Sequence, residues 1–291
     1  MTQATQVARP ARVALPSIGF VKLSLLAMAL LLVASWYSIL TSDRLQAAGF
    51  FNGETLDRAW TFLGDLAGAH SDVTPAFLEA SEWREKAGLA LDTLAMSVLG
   101  IGIAGGIAFA LFIFGSRNVM VGELAPHRSP LSAVLYGVTR GYFMLTRGIP
   151  ELVWALIIVF AFTPGILPGA VALGIHNSGV LGRLAAEVVE GLDPRPMRSL
   201  QSAGAGRLQV ALFGVLPEAL PRFVTYLLYR WEVVIRTTVV VGFVSAGGLG
   251  TAFRLAMSYF KYTEVTLILI WYVIIVLAVD FTAAFLRRLA D

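Results

Sequence analysis

The sequence contains no cysteine, which removes disulfides, thiolate metal sites and cysteine nucleophiles together. It also lacks G-x-x-x-x-G-K-[ST], so the chain has no Walker-type phosphate loop and any ATP-driven work falls to a partner. H-E-x-x-H and G-x-S-x-G are absent as well, and the three histidines, His70, His127 and His176, are too dispersed for a metal site. Charge is scarce, at 14% of residues against about 25% in soluble domains. The net charge of +3 and the pI near 9.3 come without a basic stripe interleaved with aromatics, so nucleic acid is not a partner.

In place of charge there is apolarity: 57% of the 291 residues are hydrophobic and the mean hydropathy is +0.75. A water-soluble fold has no way to cover that much apolar surface. The apolarity also comes in runs of the roughly 20 residues that one bilayer crossing needs. The chain therefore reads as an all-α polytopic membrane protein with about six crossings.

Residues 1–22 carry Arg9, Arg12 and Lys22 with no acid, and an apolar run over 23–40 follows. This is a first, uncleaved span that starts in the cytoplasm, with membrane lipid around it. The acidic stretch 41–88 reads as an external loop. Further crossings are expected near 89–116, 131–163, 168–189, 223–245 and 265–286. The third is expected as one long helix kinked at Pro150. Arg117 and Arg128, then Arg195, Arg198, Arg207 and Arg222 over 190–222, and finally Arg287 and Arg288 mark the cytoplasmic side. Both termini are then inside, and the stretch with Arg254, Lys261 and Glu264 before the last crossing reads as a loop.

Gly100, Gly102 and Gly105 match G-x-G-x-x-G, but no strand precedes them and they lie inside a crossing. Small residues there, Gly102 and Gly106 above all, read instead as a helix-packing face. Charges inside crossings cost about 2.5–3.5 kcal/mol each on insertion scales, so they mark a pathway or a pair. Two clusters qualify. Arg147 and Glu151 are four apart with Arg140 on the same stripe, and Arg230, Glu232 and Arg236 form the second. One reading pairs Arg147 with Glu151 and Glu232 with Arg236 inside their helices and leaves one arginine over in each cluster. The other reading makes the clusters the lining of an anion path. The stretch 193–221 is amphipathic, glycine-bearing and basic; composition alone favours an ordinary cytoplasmic loop, and the other reading is a short helix across the membrane face that meets a soluble partner.

Within that stretch, Asp193-Pro-Arg-Pro-Met-Arg-Ser-Leu-Gln-Ser-Ala-Gly-Ala-Gly-Arg-Leu-Gln-Val, followed by Gly214-Val-Leu-Pro217, resembles the EAA loop of ABC importer permeases. Gly204, Leu216 and Pro217 fall on the motif's glycine and Leu-Pro places. The stretches starting Arg147-Gly-Ile-Pro-Glu-Leu-Val-Trp, His176-Asn-Ser-Gly-Val-Leu-Gly, Tyr229-Arg-Trp-Glu-Val-Val-Ile-Arg and Gly247-Gly-Leu-Gly resemble the phosphonate and phosphite permease family. The resemblance covers about residue 90 onward. It departs from the motif at Arg198, where glutamate is usual, at Ser199 and Leu200, where alanines are common, and at Gly206.

The resemblance implies a type I ABC importer permease in a bacterial inner membrane, with a homodimer enclosing the path. It also implies two ATP-binding cassette subunits that hold ATP and magnesium, and a periplasmic binding protein that delivers phosphonate, phosphite or a related phosphorus oxyanion. This chain would bind no cofactor and catalyse nothing. Its expected pathway residues are Arg147, Glu151, Arg230, Glu232 and Arg236. The contacts expected to couple it to the ATPase are Pro196, Arg198, Ala203, Gly204, Ala205, Arg207, Leu208, Leu216 and Pro217. The competing classes are a membrane-embedded enzyme and a carrier that needs no ATP.

Overall fold

The structure is a computed structural model that describes residues 19–41, 52–70, 73–122, 124 and 129–290. Arg9, Arg12, His127 and Arg128, used above for orientation and metal binding, lie outside the described residues. The chain divides into two units, 1–63 and 64–291, each described by itself. Every regular element among the described residues is helical.

The first unit holds α1 (Phe20–Thr41) and most of α2 (Gly53–Leu66). Neither helix contains a buried residue. α1 is apolar on all sides, as a helix surrounded by lipid must be. Helix α2 occupies part of the stretch 41–88 read as an external loop. Asn52 caps it, its Oδ1 accepting from the Thr55 amide at 2.9 Å.

The second unit runs through α3 (Ala80–Leu111), the short α4 (Arg117–Met120), α5 (Pro130–Gly148), α6 (Glu151–Ala161), α7 (Ile166–Glu190), α8 (Pro194–Ser202), the short α9 (Arg207–Val210), α10 (Leu216–Val241), α11 (Gly248–Ser258) and α12 (Tyr262–Ala290). Among the described residues, α1, α3 and α12 are long and apolar enough to cross a membrane singly. Two bent pairs raise the number to five: α5 with α6, and the stretch 207–244 with α11. The fourth expected crossing, 168–189, falls on α7, which is not among these five. Fourteen of its 25 residues are buried, so neighbouring helices rather than lipid surround it and its composition need not be apolar throughout.

The expected third crossing is not one kinked helix. α5 and α6 meet at 92°. Ile149 takes an extended conformation (φ −87°, ψ 125°) ahead of Pro150, which has no N–H to continue the ladder. Pro150 instead caps α6, its carbonyl accepting from the amides of Val153 at 3.0 Å and Trp154 at 3.2 Å. The expected loop after the fifth crossing is likewise largely the helix α11, which carries Arg254. A π-helical turn at Gly242–Ala246 and the positive φ of Gly247 (92°) and Gly248 (65°) turn the chain there by 50°.

The core is built around α7, packed against α3, α6 and α10 through Met96, Ala104, Leu173, Leu181, Val189 and Phe223. The glycine face of α3 differs from the one expected. A Cβ on Gly100 would meet the Leu173 Cβ at 3.0 Å and one on Gly105 the Leu227 side chain at 2.7 Å, whereas Gly102 and Gly106 face open space. An α-helix advances 100° per residue, so positions 102 and 106 lie on one stripe and the stripe that meets α7 and α10 lies beside it.

Candidate functional site

The charged clusters do not pair within their helices. Glu232 meets Arg287 of α12 at 2.5 Å, with both side chains 16% exposed, and the Arg287 guanidinium lies 4.1 Å from the Tyr229 ring centre. Arg236 grips Asp280 of α12 with both carboxylate oxygens, at 2.7 and 2.9 Å. Expected as an in-helix pair, Glu232 and Arg236 instead bind α10 to α12 at two levels. Their carboxylate partner Asp280 and guanidinium partner Arg287 sit in the final helix, more than 40 positions away, beyond the reach of any local spacing rule.

The break at Pro150 likewise separates Arg147 from Glu151. Glu151 starts α6, where an acid suits the positive end of the helix dipole. Its Oε2 is buried without a hydrogen-bond partner among the described residues, and its charge reaches Arg230 of α10. Arg230 donates from Nε to the Oδ1 of Asn177 at 2.5 Å. Asn177 is fully buried in α7 and donates to the Leu173 carbonyl at 2.7 Å. His176, beside it, has Nδ1 2.9 Å from the Ile149 carbonyl at the break. α6, α7 and α10 therefore share one polar layer, to which the sequence clusters contribute Glu151 and Arg230.

Arg140, expected as a leftover charge on the Arg147 stripe, is bonded to Glu190 at the end of α7. Glu190 also accepts from the Arg117 amide at 2.7 Å. That leaves Arg147, which is exposed and has no hydrogen bond or ion pair among the described residues. It lines a groove of about 520 Å³ between α5 and α7 with Met144, Gly148, Arg183 and Glu187. Arg183 and Glu187 pair at 2.5 Å, so Arg147 gives the groove a surplus positive charge. Glycine lets the two helices meet this closely: a Cβ on Gly179 would sit 2.1 Å from the Thr146 Oγ1 and 3.0 Å from the Arg147 amide nitrogen. Asn177, Arg183 and Glu187 were missed in the sequence. Their spacing along α7 was readable, but nothing local tells which neighbour they face.

Directly after the C-terminal end of α7, the amphipathic stretch folds as α8, a turn, α9 and a π-helical turn at Ala211–Val215 that leads into α10. The Asp193 side chain caps α8 by accepting from the Arg195 amide at 3.0 Å. Met197 is fully buried beneath it. Pro196, Arg198 and Arg207 face solvent, and Leu208 is 71% exposed. Gly204 has φ 89°, which the helix end requires. The amide of Ala205 donates to the Leu200 carbonyl and that of Gly204 to the Gln201 carbonyl, both at 3.0 Å, so both loose carbonyls are satisfied. Ala203 is the last cap position, and Leu216 and Pro217 open α10. The fifth crossing therefore starts earlier than expected. Gln201 donates to the Leu124 carbonyl at 2.9 Å and Asn118 to the Val189 carbonyl at 2.8 Å, which ties this segment to the base of the bundle.

Residues 118–291 match the family of binding-protein-dependent transport system inner membrane components. The chain belongs to that family. It is 34% identical over 257 residues to the phosphite transport system permease protein PtxC of Stutzerimonas stutzeri, covering 88% of this chain and 84% of that one. To the putative phosphite transport system permease protein HtxC of the same organism it is 29% identical, covering 89% and 83%. In fold it is similar to the MetNI methionine ABC transporter in inward-facing form, with a TM-score of 0.61, 18% identity, and 73% of this chain and 99% of that one covered. This permease is thus an all-α, multi-pass inner-membrane protein of an ABC importer type.

Proposed function

We propose that this permease forms, as a homodimer, the path of an ATP-driven importer for phosphite or a closely related phosphorus oxyanion. The reading rests on the near full-length similarity to a phosphite transport permease. In it, a periplasmic binding protein delivers the anion, and two ATPase subunits that hold ATP and magnesium drive the cycle from the cytoplasmic side. Both termini are cytoplasmic, which follows the distribution of arginine and lysine.

Arg147, in the groove with Arg183 and Glu187, supplies one cationic level of the path. An unpaired arginine on the outside of a membrane-embedded protomer is costly against lipid, and facing a water-filled path between two copies removes that cost. Arg230, steadied by Asn177 and balanced by Glu151, forms a second cationic level. Glu232 and Arg236 keep α10 against α12 so that these levels move together. The segment with Pro196, Arg198, Ala203, Gly204, Ala205, Arg207, Leu208, Leu216 and Pro217 receives the motion of the ATPase.

The test is uptake in proteoliposomes that hold this chain with its ATPase and binding protein. Vanadate-sensitive accumulation of labelled phosphite, with methylphosphonate as competitor, is the expected result. Accumulation by the chain alone, without ATPase or binding protein, would overturn the importer reading in favour of an ATP-independent carrier. Turnover of a phosphorus ester by the chain alone would make it an enzyme.

A further inference from the structure

Eleven of the 14 residues of α2 sort by chemistry around the helix, Thr55 being the one polar side chain on the apolar side. With 100° per residue, Leu56, Ala59, Trp60, Phe62, Leu63 and Leu66 occupy one side, and Glu54, Asp57, Arg58, Thr61 and Asp65 the other. Leu56 is 64% exposed, Trp60 72% and Leu63 52%. Local forces build the helix: the Asn52 cap, Glu54 in the first turn, and the Glu54–Arg58 pair at 3.5 Å. Those forces leave a helix of this length marginal in water. No residue of α2 is buried in the protein, so its apolar side needs another surface.

Chain connectivity fixes which surface lies within reach. Eleven residues, 42–52, separate α2 from the end of the membrane-spanning α1, at most about 40 Å of extended chain. At its other end, the Leu66 carbonyl accepts from the Thr266 Oγ1 at 2.7 Å, one turn into the membrane-spanning α12. The Leu66 side chain packs on the cluster that contains Val265 and Ile268. Both ends of α2 are therefore tied to helices that meet the bilayer surface, and the last turn marks the level where α12 begins.

We propose that α2 lies flat in the boundary between headgroups and acyl chains, on the membrane face where α12 starts. Leu56, Ala59, Trp60 and Leu63 enter the acyl region and Glu54, Asp57, Arg58 and Thr61 face water. The polar side carries more acid than base, so anionic lipid does not attract it and apolar burial alone holds it. Trp60 suits that depth, because its ring is apolar and its indole N–H reaches the wet side.

The absence of cysteine makes the test direct. Single cysteines are placed at Leu56, Asp57, Trp60, Thr61 and Leu63 in the full chain, spin-labelled, and reconstituted in phosphatidylcholine nanodiscs. The measured quantities are collision with oxygen, which concentrates in lipid, and with a water-soluble nickel chelate. Labels at 56, 60 and 63 are expected to favour oxygen and those at 57 and 61 the chelate, with no change between 50 and 500 mM salt. Equal chelate access at all five sites would overturn the proposal. So would labels at 56, 60 and 63 shielded from both reagents, which would mean a protein partner or a second copy covers this side. An unfolding midpoint measured for each variant confirms that the fold is intact, and a variant with a lowered midpoint is replaced by its neighbour at 59 or 58. None of these readouts depends on transport.

Discussion

Replacing Gly179 with alanine forces α5 and α7 apart at the level of Arg147. The new Cβ would lie 2.1 Å from the Thr146 Oγ1 and 3.0 Å from both the Arg147 nitrogen and the Phe143 carbonyl oxygen. Thr146 has little room to yield, because it is 2% exposed and its hydroxyl already donates to the Tyr142 carbonyl at 2.8 Å. The other two atoms are backbone, so relief requires helix displacement. Overpacking of this kind costs about 1–3 kcal/mol, and backbone involvement places Gly179→Ala in the upper part of that range. Gly102→Ala is the control: nothing lies within 4 Å of its Cβ, and a glycine-to-alanine change inside a helix gains up to about 1 kcal/mol. Thermal unfolding of the detergent-solubilised chain separates the two. Gly179→Ala is expected to lower the midpoint and Gly102→Ala to leave or raise it. Adding Thr146→Ala to Gly179→Ala recovers part of the loss, since it removes the nearest of the three clashes. A Gly179→Ala chain as stable as the Gly102→Ala chain would refute the close approach of α5 and α7.

Burial decides the weights of the two ties between α10 and α12. Glu232→Gln leaves Arg287 with little water to compensate it and is expected to cost about 3 kcal/mol, whereas Glu232→Leu with Arg287→Met restores most of that. Arg236→Gln, whose pair is 46% and 33% exposed, is expected to cost about 1 kcal/mol or less; unfolding midpoints of the three variants check the order. Arg147→Gln is expected to abolish most phosphite uptake in the assembled complex while the midpoint stays within a degree or two, since the side chain has no partner to lose among the described residues. Asp193→Ala removes the cap of α8 and is expected to destabilise that helix by about 1 kcal/mol. Hydrogen exchange at the amides of α8 reads that change directly, with Asp193→Asn as the variant that preserves protection.

The sequence by itself determined the solvent, the class and the family. Apolar runs of crossing length depend only on composition over 20 residues, so they were legible for α1, α3 and α12. The helical character of the segment from Asp193 to Val210 was legible for a related reason: its amphipathic turn, the cap at Asp193 and the glycine at 204 are local requirements of a helix start and end, and local chemistry writes them into adjacent positions. Pro150 announced a break, although not that the break turns the chain by 92°. That angle is set by what α6 packs against. The partners of the buried charges were decided by the tertiary structure alone. Four-residue spacing pointed to Arg147 with Glu151 and Glu232 with Arg236, and both pairings gave way to partners on other helices, or to none. A charge in a low-dielectric interior is stabilised by whichever opposite charge is nearest in space. The fold chose Arg287, Asp280 and Glu190 for that purpose, and among the described residues it left Arg147 without a side-chain partner at the edge of the groove.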